Sequence, residues 1–386
     1  MQKPNKNINL FDLKTSQNII GQEAFLNAFQ TVLDHGGYCQ GKETAELENA
    51  LSQYSNSSYC ATCSSGTDAL ILTLMSWGVK SGDAVFVPSW TFAATAEAVV
   101  LLGANPIFVD SNEKSWNMDV NDLQKAINEV KAEGKLNAKA IISVDIFGNP
   151  CDYAEIAKIA KDNNMKYLSD ACQSYGASYN GKKIGDNSLA DATATSFFPT
   201  KPLGGYGDGG AIFSNSENDN TTMKSCRVHG MSFDNKYDNI RIGLTGRMNS
   251  FMAASLLQKL KIFDGELVTR QKAADYYKNN LSNYFTTQFV AENSQSANAI
   301  FTIVCENRDG LQKYLSENGV PCNTYYPIAV NAQTAYKAYD NRPMPVAENL
   351  SKNVLSIPMH PYLTDEELEY IVYTMNNFAN SQNKAA

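Results

Sequence analysis

Between residues 69 and 170 short apolar runs alternate with longer amphipathic ones, and this alternation restricts the fold more than any other feature. Residues 84–88, 106–110, 138–144 and 166–170 have the length and apolar character of buried strands. Residues 69–79, 95–102, 119–132 and 153–163 are helical in pattern; in the third of these, Val120, Leu123, Ile127 and Val130 fall on one face. Strand, helix, strand at this spacing predicts an α/β fold with a mostly parallel sheet. In such sheets ligands sit beyond the carboxyl ends of the strands. Asp110, Asp145 and Asp170 stand at those ends.

The pattern changes after residue 264. A long helix is expected over 266–285, a strand over 299–305, a helix over 309–318 and a strand over 324–328. A last helix spans 364–379, opened by the capping pattern Thr364-Asp365-Glu366-Glu367. This reads as a smaller α+β domain, 265–386, after a large domain, 1–264. A chain of 386 residues, 43% of them hydrophobic, can bury cores of that size.

Net charge is −8, with 32 basic against 40 acidic residues and no long basic run. Nucleic acid and anionic membranes are therefore poor partners, although a local phosphate site remains possible. Apolar runs such as 93–104 are broken by Thr95 and Glu97 and are too short to span a bilayer. Residues 1–10 are polar, without the apolar core of a signal peptide, so the cytoplasm is the expected location. The eight cysteines are scattered, as reduced residues would be. Cys60 and Cys63 have metal-ligand spacing, but none of the three histidines (His35, His229, His360) is near them in sequence. They read as a strand end entering a loop, and no metal is expected.

Three segments carry the chemistry. Ser64-Ser65-Gly66-Thr67-Asp68-Ala69-Leu70 is a small polar turn opening a helix, where free N–H groups and the helix dipole attract phosphate. It is equally an N-cap built on Ser65 or Thr67. Asp170, in Ser169-Asp170-Ala171-Cys172-Gln173-Ser174, ends an apolar strand, where an unpaired carboxylate is costly. A protonated ring nitrogen such as that of pyridoxal phosphate would suit it, with Gln173 in reach of a ring hydroxyl. Capping of the next helix is the alternative. In the stretch 195–210 one lysine, Lys201, lies between an aromatic strand and a glycine-rich loop. Lysine forms Schiff bases with aldehydes when burial or nearby charge lowers its pKa. Ser196, five residues earlier, can offer its hydroxyl to a phosphate. A dinucleotide-binding glycine motif does not fit, because these glycines run into the strand-like Ala211-Ile212-Phe213 rather than into a helix. Phe92 follows a strand and is either a stacking face for a planar ring or a core aromatic.

In this order the pieces resemble the DegT/DnrJ/StrS family of nucleotide-sugar aminotransferases, within the fold type I pyridoxal phosphate enzymes. The motifs are Ser-Gly-Thr-Asp-Ala-Leu (65–70), Asp-Ala-x-Gln (170–173), Ser-Phe-Phe-Pro-Thr-Lys (196–201) and Gly-Asp-Gly-Gly (207–210). The resemblance runs from Gly37 to Pro361 and implies an aspartate-aminotransferase-like fold, pyridoxal 5'-phosphate and a homodimer with shared sites. It implies that Lys201 holds the cofactor and moves protons, and that Asp170 pairs with the ring nitrogen. Gln173 would contact the ring hydroxyl, Phe92 would stack on the ring, and Gly66, Thr67 and Ser196 would hold the phosphate. The amino donor is usually glutamate. Thr245 stands where most members carry an asparagine that reaches the neighbouring subunit's phosphate, and Asn249 where many carry aspartate. Arg247 and His229 are implied to serve the substrate, a surface or interface salt bridge being the other reading of Arg247.

Within the family, residues 236–243 and 256–260 are most similar to enzymes aminating carbon 3 of UDP-2-acetamido-3-keto-glucuronic acid, for bacterial surface polysaccharides such as lipopolysaccharide O-antigen. Tyr325 departs from them, standing where they carry histidine near the sugar. Tyrosine hydrogen-bonds but carries no positive charge, so neutral 3-keto sugars and 4-keto sugars stay open. Lys201 argues against the sugar dehydratases of this fold, which carry histidine there. The intact Lys-Asp-Gln-Ser set argues against a non-catalytic binding or regulatory protein.

Overall fold

The computed structural model describes residue 4 and residues 7–339 and 342–383; residues 1–3, 5 and 6 of the polar N-terminal stretch lie outside the described residues. Three helices open the chain, α1 (Thr15–Ile20), α2 (Gln22–His35) and α3 (Lys42–Ser55). Alternation then begins: β1 (Tyr59–Cys63), α4 (Gly66–Ser76), β2 (Asp83–Pro88), α5 (Ala94–Leu101), β3 (Asn105–Val109), α6 (Val120–Glu133), β4 (Asn137–Val144), α7 (Tyr153–Asp162) and β5 (Lys166–Asp170). A small hairpin, β6 (Ser178–Tyr179) and β7 (Lys182–Lys183), leads to β8 (Ala192–Ser196) and β9 (Gly210–Ser214), and then to α8 (Glu217–Cys226), α9 (Ser250–Leu260) and α10 (Phe263–Asn280).

Seven strands form one sheet in the order β1-β9-β8-β5-β4-β2-β3. The pairs β8–β5, β5–β4, β4–β2 and β2–β3 are parallel. β9 runs against both β8 and β1, so β1 points the same way as the parallel strands. Both faces of the sheet are covered, which is why its strands read as continuous apolar runs. Val85 and Val87 of β2 pack on one side with Leu70 of α4 and Val99 of α5. Ala84 and Phe86 pack on the other with Leu123 and Ile127 of α6 and Ile156 of α7. The twofold alternation of strand side chains thus meets two helical layers.

The C-terminal part holds β10 (Thr286–Thr287), β11 (Ser294–Gln295), β12 (Phe301–Val304), α11 (Arg308–Glu317), α12 (Pro345–Asn353), β13 (Val354–Ile357) and α13 (Asp365–Asn383). β10, β12 and β13 make a three-stranded sheet, and β11 pairs with the β6–β7 hairpin. α10 joins two cores: Phe263 packs with Tyr175 and Phe197, whereas Ala273, Ala274 and Tyr277 pack with Phe301 and Ile371. Thr364 and Glu367 form the expected reciprocal cap of α13, each backbone N–H donating to the other's side chain, at 2.8 Å and 3.2 Å. Among the described residues no helix is long and apolar enough to cross a membrane.

Two expectations need correction. The helix expected over 266–285 begins at Phe263 and ends at Asn280, because Ser282 turns to donate its N–H to Asn376 Oδ1 at 2.8 Å. Residues 324–328 are not a strand. Only Asn323 pairs with β13, at Ser356. Pro327 has no N–H for a ladder. The chain is drawn instead to the end of β2, where Trp90 Nε1 donates to the Tyr326 carbonyl at 3.0 Å and Val330 N donates to the Ser89 carbonyl at 2.7 Å.

Candidate active site

Sheet register gathers the site. Cys63 and Ser196 both lie opposite Gly210, and Asp170 lies opposite Ala194. The carboxyl ends of β1, β8 and β5 therefore open on the same edge. Ser65 is the N-cap of α4: its Oγ accepts the Asp68 N–H at 3.0 Å and its carbonyl accepts the Ala69 N–H at 3.0 Å. Gly66 N and Thr67 N precede that first helical bond and face outward at the positive end of the helix. A Cβ on Gly66 would lie 2.7 Å from Ser196 Cβ and 2.9 Å from Cys172 Sγ, so only glycine lets the three strand ends meet. A Cβ on Gly210 would collide with the Ser65 carbonyl. Ser196 Oγ accepts the Phe198 N–H at 3.2 Å, which leaves its proton free to donate. The donors of Gly66, Thr67 and Ser196 fit a phosphate.

Asp170 is buried. Its Oδ2 accepts the Thr95 hydroxyl at 2.9 Å, and its Oδ1 accepts the Cys172 N–H at 3.1 Å. It forms no ion pair among the described residues, and its remaining lone pairs suit a protonated ring nitrogen. Gln173 is also buried, with Oε1 fixed by the Phe147 N–H at 2.9 Å. Lys201 is half-buried, on a turn closed by its N–H to the Phe198 carbonyl at 2.9 Å. Its ammonium lies near Cys172. Burial and the Asp170 carboxylate push that thiol well up, while Lys201 pulls it down. Phe92 is 57% exposed, with its ring centroid 6.1 Å from that of Tyr326. The exposed face is what a stacking role needs, and it excludes the core reading.

Sequence reasoning missed several neighbours. Tyr326 reaches Asp170 and Gln173; burial, with the Asp170 carboxylate beside it, pushes its phenol up and keeps it protonated. Thr95 gave no signal, since it lies inside an apolar run. Asp145 was noted only as a strand end. It is fully buried, with Oδ2 accepting the hydroxyls of Tyr153 at 2.7 Å and Ser174 at 2.6 Å and Oδ1 accepting the Cys151 N–H at 2.8 Å. Burial outweighs these bonds and raises its carboxyl to about 6. Asp110 serves elsewhere, capping α12 through Val346 N at 3.1 Å and Ala347 N at 2.9 Å.

Thr245, Arg247 and His229 lie on an arm after α8. Ser64 N donates to the Gly246 carbonyl at 3.0 Å, which ties the arm to the phosphate turn. Thr245 Oγ1 and His229 Nε2 are 2.8 Å apart, both residues exposed. Arg247 is half-buried and has no polar partner among the described residues. No hydrogen bond among the described residues links these three to Lys201, Asp170 or Gln173. Tyr325 is half-buried, its ring 5.8 Å from that of Tyr326.

A sequence profile of the DegT/DnrJ/EryC1/StrS aminotransferase family matches residues 20–376. The chain belongs to this family. It is 39% identical to the UDP-2-acetamido-2-deoxy-3-oxo-D-glucuronate aminotransferase of Pseudomonas aeruginosa, over 96% of this chain and 100% of that one. Its structure is similar to that of a DegT DnrJ EryC1 StrS aminotransferase from Brucella abortus, with TM-score 0.93, 40% identity and coverage of 96% and 99%. It is also similar to NtdA of Bacillus subtilis, solved with bound cofactor PMP, with TM-score 0.89, 26% identity and coverage of 98% and 87%. The chain is thus a fold type I aminotransferase, and its cofactor is pyridoxal phosphate. The residues present fit that group: phosphate donors at Gly66, Thr67 and Ser196, an unpaired carboxylate at Asp170, and an amine at Lys201.

Proposed function

We propose that this aminotransferase moves an amino group from glutamate to carbon 3 of a UDP-linked 3-keto sugar, in the cytoplasm, for a bacterial surface polysaccharide such as O-antigen. The observation that carries this reading is the joining of Lys201, Asp170, Gln173 and the Gly66–Ser196 cradle in a chain 39% identical, along its length, to a UDP-3-oxo-sugar aminotransferase.

In this reading Gly66 N, Thr67 N and the Ser196 hydroxyl bind the cofactor's phosphate, and Phe92 covers one face of its ring. Gln173, with Oε1 held by Phe147, turns its NH2 to the ring hydroxyl. Asp170 holds a proton on the ring nitrogen. The bound cofactor supplies an electron sink that lets a proton leave the carbon bearing the amino group. Lys201 Nζ anchors the cofactor and then takes and returns that proton. Arg247, His229 and Tyr325 face the sugar nucleotide, and Thr245 reaches the partner subunit's phosphate. The assembly is a homodimer of chains divided at about residue 264. The arm that would cross between subunits carries exposed Phe233, Tyr237, Ile240 and Ile242, the last 84% exposed; such surface is normally covered by a partner.

A visible spectrum of the cofactor-loaded protein tests this directly. A band that bleaches with glutamate, and is missing in Lys201→Ala, supports the donor half; a band indifferent to both contradicts it. Product analysis with UDP-linked 3-keto and 4-keto sugars then decides the acceptor. Tyr325 in place of histidine favours a second reading, amination of a sugar without a carboxylate, including a 4-keto sugar.

A further inference from the structure

The turn that carries Lys201 also walls a cavity of about 360 Å³. Its other walls are residues 11–14, Ser16, Gln17, Lys259 at the end of α9, Glu266 and Arg270 on α10, and residues 360–362. Of the residues assigned to the cofactor only Lys201 reaches it; Gly66, Phe92, Asp170, Gln173 and Ser196 do not. It adjoins the site at Lys201.

Its walls hold buried donors without acceptors. Arg270, 5% exposed, gives Nη1 to the carbonyls of Asn298 at 3.2 Å and Met359 at 3.5 Å, while its Nε has no partner. His360, 4% exposed, accepts the Tyr362 N–H on Nδ1 at 3.3 Å. That bond places its own proton on Nε2, which makes no well-formed hydrogen bond although the Asn9 backbone lies near it. Lys259 is buried, with Nζ 5.4 Å over the Tyr206 ring, and neither it nor Arg270 makes an ion pair among the described residues.

The carboxylates in the wall are already engaged. Asp12 accepts Lys14 N, Thr15 N and the Thr15 hydroxyl. Glu266 accepts the Tyr362 hydroxyl and forms no ion pair with either buried cation. Exposed Lys14 adds one more positive charge. Burial pushes Lys259, Arg270 and His360 all downward, and outweighs the pull of Glu266 on Lys259 and Arg270 and of Asp12 on His360. Buried charge persists when something pairs it.

We infer that this cavity binds a small oxyanion, a carboxylate or phosphate group, through Lys259, Arg270 and His360. Two sources have that chemistry. One is a carboxylate of the amino donor, which rests on the glutamate reading above; the other is a free anion that acts on the enzyme from outside the reaction, which does not.

The test uses cofactor-loaded protein, so that the cofactor's own phosphate site is filled. Inorganic phosphate and, separately, glutarate are titrated in by calorimetry. At least one of them should bind saturably at one site per chain, and Lys259→Gln should weaken it tenfold or more with the visible cofactor spectrum unchanged. If Lys259→Gln does not load cofactor, His360→Gln carries the same comparison. No saturable binding of either probe, or equal binding in the variant, overturns the inference. Competition between the bound probe and glutamate in the bleaching reaction assigns the site to the donor's carboxylate; a change in rate without competition assigns it to a free anion. If glutamate fails to bleach the band while probe binding persists, the donor reading falls and the anion site stands.

Discussion

The Phe147 N–H donates to Gln173 Oε1 at 2.9 Å, and this one bond decides which end of the Gln173 amide would face the cofactor in the proposed site. With the oxygen held by the backbone, the NH2 is left as a donor for the ring hydroxyl. Gln173→Ala removes that donor and leaves the Phe147 N–H buried without an acceptor. Cofactor affinity should fall about tenfold, the loss expected from one buried hydrogen bond. Equilibrium titration with pyridoxal phosphate measures it, and unchanged affinity would remove Gln173 from the site.

Asp145 should make stability depend on pH. Its carboxyl is raised in the folded chain from the ordinary 3.8 to about 6 by burial. A raised carboxyl stabilises the fold in its protonated form, so the contribution is complete below about pH 4 and is lost as pH rises through 6. The difference at neutral pH is about 3 kcal/mol. Asparagine has the same shape and no charge to lose. Denaturation midpoints at pH 5 and pH 7 should therefore differ less in Asp145→Asn than in wild type. Parallel pH dependence in the two proteins would show that Asp145 does not titrate there.

What was legible in the sequence follows from local physics. The strands expected over 84–88, 138–144 and 166–170 lie within strands of the sheet, and that over 106–110 overruns β3 by one residue, because a sheet covered on both faces needs continuous apolar runs. Lys201, Asp170, Gln173 and Ser196 were visible because each sits at a strand end or a glycine-rich turn. Thr95 was hidden inside an apolar helix. Tyr326 was hidden because residues 324–328 look like a strand until tertiary bonds from Trp90 and to Ser89 draw them to the end of β2. What Asp110 and Asp145 do at their strand ends was equally invisible, since it depends on partners that only the fold supplies.

The cradle also depends on a buried charge pair. Arg227 Nη1 donates to Glu48 Oε1 at 2.6 Å, and the same oxygen accepts the Thr62 N–H at 3.0 Å, on the strand that ends in the phosphate turn. Burial alone would raise the Glu48 carboxyl, but Arg227 and Lys224 outweigh it and hold it below its ordinary value. Arg227→Met leaves that carboxylate buried with only Lys224. Stability should drop by about 3 kcal/mol, within the range for breaking a buried pair. Replacing both residues together, as Glu48→Gln with Arg227→Met, should cost less than Arg227→Met alone. A double mutant as unstable as the sum of the singles would show that the pair is not coupled.

Tyr325 offers the sharpest handle on substrate choice. Its ring lies 5.8 Å from that of Tyr326, which itself reaches Asp170 and Gln173, so it stands at the edge of the cofactor site. A tyrosine there can hydrogen-bond a sugar but adds no positive charge, whereas histidine can do both. If the sugar's carbon 5 substituent is what faces this position, Tyr325→His should favour UDP-linked 3-keto uronic acids over the matching neutral sugars. One charge-assisted hydrogen bond in a half-buried site corresponds to about a tenfold change in the ratio of kcat/KM values. The ratio should grow as pH falls through the histidine range, since only the imidazolium attracts the carboxylate more strongly. A ratio that does not move with the substitution or with pH would place the substituent elsewhere and leave Arg247 as its partner.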